Sequence, residues 1–175
     1  ATLCDVFGVN VEQRTHGVSL VPLIEGTVDS VREFVLTGVW GRSVQLLTGD
    51  EKLVRSPCHG NRPLSMWSNR WSTMPIHAYP NIRLPRPDER ATLDYMPGSN
   101  VPVIRQPFEE GDAVPYWAQS ASSSTGEDLV FNVVNDPFEQ EDRSTSSAHE
   151  RLSSLLRDAL TEIDAPSDQF TRLGL

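Results

Sequence analysis

Residues 31–50, VREFVLTGVWGRSVQLLTGD, hold two strand-like runs and end in a turn. VREFVLTGVW is dense in β-branched and aromatic side chains, which predicts a central strand. SVQLL predicts a shorter strand closed by the Gly49-Asp50 turn. Upstream, LCDVFGVNVEQR carries apolar Val9 and Val11 before a polar run, and Thr15-His16-Gly17 makes a turn. GVSLVPLIEG then places Val18, Leu20, Pro22 and Ile24 on one face. Pro22 cannot donate to a ladder, so this strand belongs at an edge or a bulge. A polar turn, Thr27 to Ser30, follows. Strands this short and this closely spaced must pair antiparallel, because a parallel crossover needs about a dozen residues or more. The expected first half is therefore an all-β meander, buried as a two-layer sandwich.

Downstream the signals alternate. Pro57, Pro63, Pro75, Pro80, Pro85 and Pro87 break up residues 55–88, which predicts a long ordered loop with at most one short strand. ERATLDYM sets Ala91, Leu93 and Tyr95 against Arg90, Thr92 and Asp94, the pattern of a half-buried strand. Residues 97–126 read as irregular, acidic and serine-rich, and DLVFNVVN as the last strand. NDPFEQEDRSTSS reads as a solvated linker. In SAHERLSSLLRDALTEI, Ala148, Leu152, Leu155, Leu156, Ala159 and Ile163 recur at helical spacing. Ser147 and Glu150 fit a capping box there. The organisation expected is a β-sandwich domain over 1–135, an acidic linker over 136–146, and a C-terminal amphipathic helix and tail over 147–175.

The order R-T-H-G-V-S-L-V (14–21), V-R-E-F-V (31–35) and R-L-P-R-P-D-E-R-A-T-L-D-Y (83–95) resembles small uncharacterised proteins of salt-loving archaea. The resemblance spans roughly residues 9–97. It implies an antiparallel Ig-like β-sandwich and brings no functional residue with it. The longer middle loop and the C-terminal helix fall outside it.

The net charge is −9. A nucleic-acid backbone or an anionic membrane needs a positive face, so neither is expected as a partner. Lys52 is the single lysine among 15 basic residues. Arginine without lysine on an acidic chain fits a salt-adapted cytoplasm, where salt screens like-charge repulsion. No run of eighteen apolar residues is present, and ATLCDVFGVNVEQR lacks the basic-then-apolar order of a signal peptide. A cytoplasmic location is expected.

For chemistry the suggestive stretch is residues 56–80, SPCHGNRPLSMWSNRWSTMPIHAYP. A thiol enzyme needs a histidine near its cysteine. Adjacent residues of an extended chain face opposite ways, so His59 is a poor base for Cys58. Cys4 and Cys58 could form one disulfide, but the plainer reading is two free buried thiols. No C-x2-C or H-x3-H pair marks a zinc site, and the acidic run 135–142 lacks the alternating ligands and glycine of a calcium loop. No G-x-S-x-G, phosphate loop or dinucleotide fingerprint occurs. What stands out is residue types enriched in interfaces: Arg62, Trp67, Arg70 and Trp71 in the loop, Leu152 and Leu155 on the helix, Phe170 and Leu173 in the tail. Of the two tryptophans, one is expected to anchor the loop and the other to lie exposed beside Arg62 or Arg70. The sequence points to a non-enzymatic protein-binding or assembly module, with a protein or a second copy as partner and no cofactor. The alternatives are a metal- or thiol-dependent hydrolase around His59 and His77, and a self-assembling structural subunit.

Overall fold

A computed structural model of the chain describes residues 1–10, 15–69, 90–96, 100–109, 112 and 126–175. It is mainly β, with two antiparallel sheets and a C-terminal helical segment. The first sheet contains β1 (Val35–Gly38), β2 (Val44–Thr48), β3 (Glu51–Arg55) and β7 (Leu129–Asn132), in the order β1-β2-β3-β7. Gly49 and Asp50 make the predicted two-residue hairpin. Gly49 has a φ of 52° at the first central position, where the turn needs a residue free of a Cβ clash.

Register explains the core. Leu36 pairs with Leu46, Leu46 with Leu53, and Leu53 with Val130, so one apolar row crosses all four strands. Two helices cover that row: α3 (Ser147–Glu162) and α4 (Ser167–Leu173). Leu46, Leu53, Val130, Leu152, Leu156, Ala159, Leu160 and Leu173 form its buried centre, with Leu155, Ile163, Phe170 and Leu175 packed against it. Fully burying a leucine or valine contributes about 1.5–3 kcal/mol, so this cluster dominates the stabilisation. The face is closed by helices, and no residue of the second sheet enters the cluster.

The second sheet joins β4 (Leu64–Ser68), β5 (Thr92–Tyr95) and β6 (Pro102–Phe108) in the order β4-β6-β5. Leu64 and Phe108 are its buried pair, flanked by Trp40 and Met66. The Trp40 ring meets Phe108 edge-on at 5.2 Å, and its indole N–H donates to the Ser65 carbonyl at 2.9 Å.

Several expectations are corrected. Both strands expected before residue 30 give way to short helices, α1 (Thr2–Val6) and α2 (Val21–Ile24). Pro22 sits in the first turn of α2, where a missing N–H has no partner to lose. The proline read as a strand-edge signal is a helix-start signal. VREFVLTGVW is not a central strand: only Val35–Gly38 pairs, and it lies at the edge. β6 runs through a stretch read as irregular. Its prolines are tolerated because Pro102 opens the strand and Pro107 lies beyond the β5 ladder, which stops at Arg105. In β5, Leu93 and Tyr95 are exposed, the reverse of the half-buried face expected. The N-cap of α3 is Ser146. Its hydroxyl donates back to the Arg143 carbonyl at 2.6 Å, so no Ser147–Glu150 capping box caps the helix.

The acidic segment lies along β7. The Asp142 carboxylate accepts from the Val130 amide at 3.0 Å, and the Arg143 amide donates to the Val130 carbonyl at 2.8 Å. Among the described residues, no helix is long and apolar enough to cross a membrane.

Candidate functional site

In the described part of the expected loop, Arg62 and Trp67 make structural contacts. Trp67 lies on β4, half-buried, with the Arg105 guanidinium 5.6 Å from its ring centre. The same guanidinium pairs with Asp168 at 2.6 Å, which also accepts from the Ser65 hydroxyl at 3.2 Å. Trp67 therefore helps tie the second sheet to α4, with the Arg105 cation over its ring. Arg62 turns its head inward onto the carbonyls of Gly60, Asn61 and Glu109. Arg70, Trp71 and His77 lie outside the described residues.

On the helices, Leu152 and Leu173 are 0 % exposed. Both are enclosed within the chain itself, so neither presents surface to a partner. Leu155 and Phe170 are half-buried at the margin of the same cluster. Cys4 and Cys58 are free thiols, and Cys58 is exposed rather than buried as expected. Its amide donates to the Arg172 carbonyl at 2.8 Å and its sulfur lies against Gly174, so Cys58 holds the end of α4. His59 is exposed. Among the described residues, no group of three His, Cys, Asp or Glu side chains is placed to hold a metal ion.

Two polar clusters escaped sequence reading. At Asp128, one carboxylate oxygen accepts from Arg55 at 2.6 Å and lies 2.8 Å from His149 Nε2, while the other accepts from the Ser56 amide at 2.8 Å. Arg55 further donates to the carbonyls of Leu173 and Gly174. This knot links β3, the approach to β7, α3 and the end of α4. Beside it lies a cleft of about 420 Å³ lined by Arg55, His149, Glu150, Ser153, Arg157 and Leu175. In the second cluster, Arg172 is 2 % exposed and donates to the Arg42 carbonyl, the Asn61 side-chain carbonyl and Gln169. Burial pulls its pKa down to about 10, so it stays charged at neutral pH. No signal in the one-dimensional pattern finds such a residue, because its partners are backbone and amide oxygens brought from afar.

The region that stands apart is the N-terminal arm, residues 1–30. Among its described residues none is buried. Leu3, Val6, Phe7, Val9, Val18, Leu20, Leu23, Ile24 and Val28 are all exposed, with Phe7 at 76 % and Ile24 at 75 %. The arm nevertheless has internal structure. The Ser19 hydroxyl donates to Asp5 at 2.5 Å, the Leu20 amide to the Thr2 hydroxyl at 3.0 Å, and the Val21 amide to the Ser19 hydroxyl at 3.2 Å. These bonds hold α1 against the start of α2. Sequence reading missed the arm because it gave these residues to strands, whose apolar faces would have been buried.

No family model matches the chain, and no curated protein matches its sequence.

Proposed function

We propose that the chain is a non-enzymatic docking module: a sheet-and-helix body that carries an apolar arm by which it assembles with another protein. The observation that carries this reading is the arm. Its nine exposed apolar side chains sit on a segment that adds nothing to the body's core. A patch of that size on a soluble chain marks an interaction site. Trp67, Leu155 and Phe170 on the body are half-buried and keep part of their surface open. An Ig-like arrangement of the two sheets is part of the proposal, supported by their antiparallel pairing. So is a salt-adapted cytoplasmic setting, supported by the −9 charge and the arginine-for-lysine bias.

The test is assembly in the protein's own cells. The tagged intact chain should elute in a complex of fixed stoichiometry, and the chain lacking residues 1–30 should elute alone yet folded. Elution of the intact chain as a free monomer would sink the reading. So would a thermal melt raised several degrees by about 0.1 mM zinc, which would favour a metal-dependent enzyme through native-state ligand stabilisation.

A further inference from the structure

We propose that α4 is a clasp: it stays fixed to the first sheet, and the second sheet opens away from it as one unit when Asp168 releases. The proposal is independent of the arm and goes beyond the docking-module reading. α4 divides its faces between the two sheets. Residues four apart on a helix share a face, so Asp168 and Arg172 lie together, on the side away from Phe170 and Leu173. Phe170 and Leu173 pack into the leucine cluster of the first sheet. Asp168 and Arg172 bond instead to the second sheet and to the chain that leads into it. The Asp168 carboxylate takes one bond from each of two neighbouring strands, Arg105 of β6 at 2.6 Å and the Ser65 hydroxyl of β4 at 3.2 Å. A single carboxylate thus pins this sheet to the helix.

The two ends of the seam differ. At one end Arg172 donates to the Asn61 side chain, and Asn61 donates to the Gly41 carbonyl at 2.8 Å. Arg172 and Asn61 are 2 % and 3 % exposed, so this end is sealed from water. Asn61 belongs to the connection between β3 and β4, where Gly60 has a φ of 80° and the backbone freedom that a hinge uses. At the other end the Arg105 and Asp168 side chains are 31 % and 22 % exposed. Water reaches that pair and can take over its bonds without disturbing the leucine cluster. Among the described residues, Trp40, from the turn between β1 and β2, is the apolar side chain that reaches across to Leu64 and Phe108. A unit held by few apolar contacts and by polar bonds open to water separates before the whole molecule unfolds. The hinge is therefore the sealed end, and the clasp is the wet one.

The experiment is native-state amide hydrogen exchange on the full chain, with the Trp40 indole N–H followed by NMR as the reporter of the seam. We expect the amides of β4 and β6 and the Trp40 indole to exchange through one shared opening, while β2, β3 and α3 stay protected until global unfolding. Asp168→Asn should speed that opening roughly tenfold and leave β2 and β3 unchanged, because it removes the charge from a charge-assisted bond. Arg105→Gln should do the same. It leaves the first turn of α4 untouched, so it separates release of the clasp from fraying of the helix. The double variant should open no faster than either single one, since both remove the same contact. Exchange of both sheets in one all-or-none step overturns the proposal. So does acceleration of β2 and β3 together with β4 and β6, and so does an unchanged opening in both variants. None of these results bears on the docking-module reading, which rests on the arm.

Discussion

The body and the arm use the same kinds of residue in opposite ways. In the body, Leu46, Leu53, Leu152, Leu156 and Leu173 lose essentially all contact with water. In the arm, Leu3, Phe7 and Ile24 keep most of theirs. Composition does not separate the two regions; long-range register does. The body's row of leucines is closed by helices more than ninety residues along the chain, whereas α1 and α2 have mainly each other. An apolar side chain reports burial only when a second element completes the layer.

The largest expected effect lies in the body. Leu152→Ala and Leu156→Ala should each cost about 3–4 kcal/mol in denaturant unfolding, since both sit at the centre of the cluster and leave cavities. Leu155→Ala, at the margin, should cost less, about 1–2 kcal/mol. Equal losses at all three positions would show that the helix does not present one face to the sheet.

Arg172→Ala should come next, at about 2–3 kcal/mol, because it removes a buried, charged donor that bonds the Asn61 side-chain carbonyl, the Arg42 carbonyl and Gln169. Arg172→Lys should recover only part of this, as one ammonium cannot span the guanidinium's contacts. Full recovery would mean that charge, not geometry, holds the site.

These elements also show what the sequence could and could not reveal. The α3 stripe and the strands β2 and β7 were legible because local periodicity states them in full: Leu152, Leu156 and Ala159 repeat at helical spacing, and LVFN is uninterrupted. β1 was half-legible, since composition marks a strand but not whether it has one neighbour or two. β6 was hidden by Pro102 and Pro107, which are acceptable only because Pro102 opens the strand and Pro107 lies beyond the β5 ladder. The arm was misread because one turn of helix with Val21 and Pro22 looks locally like an edge strand. The Arg55–Asp128–His149 knot could not be read from sequence, because its members are distant in the chain and of ordinary type.

A smaller effect concerns acid. The Ser144 hydroxyl and the Val130 amide donate to Asp142 and hold its carboxyl below the usual range near 3.8. As pH falls, the unfolded chain takes up this proton first. The contribution is therefore complete above about pH 4 and lost as pH drops through the folded value. Asp142→Asn should flatten that part of the stability–pH curve by lowering stability above about pH 4, while leaving the acid end little changed. An unaltered acid slope would show that the acidic segment does not hold β7.

The smallest effect is expected in the arm. Phe7→Ser and Ile24→Ser should change the stability of the purified chain by no more than about 0.5 kcal/mol, since exposed sites away from packing behave that way. A loss of 2 kcal/mol or more at either site would erase the contrast between arm and body.

The closing of the first sheet carries a consequence for biosynthesis. Arg55 reaches the Leu173 carbonyl across 118 residues. A ribosome adding ~5–20 residues per second needs about ten seconds to bridge that interval. The β2–β3 hairpin can form within about 1–10 μs of emerging. For most of the interval its row of Leu46 and Leu53 faces water uncovered, with β7, α3 and α4 still to be made. Emerging chains on a crowded polysome would then present the same sticky face to one another until α4 arrives.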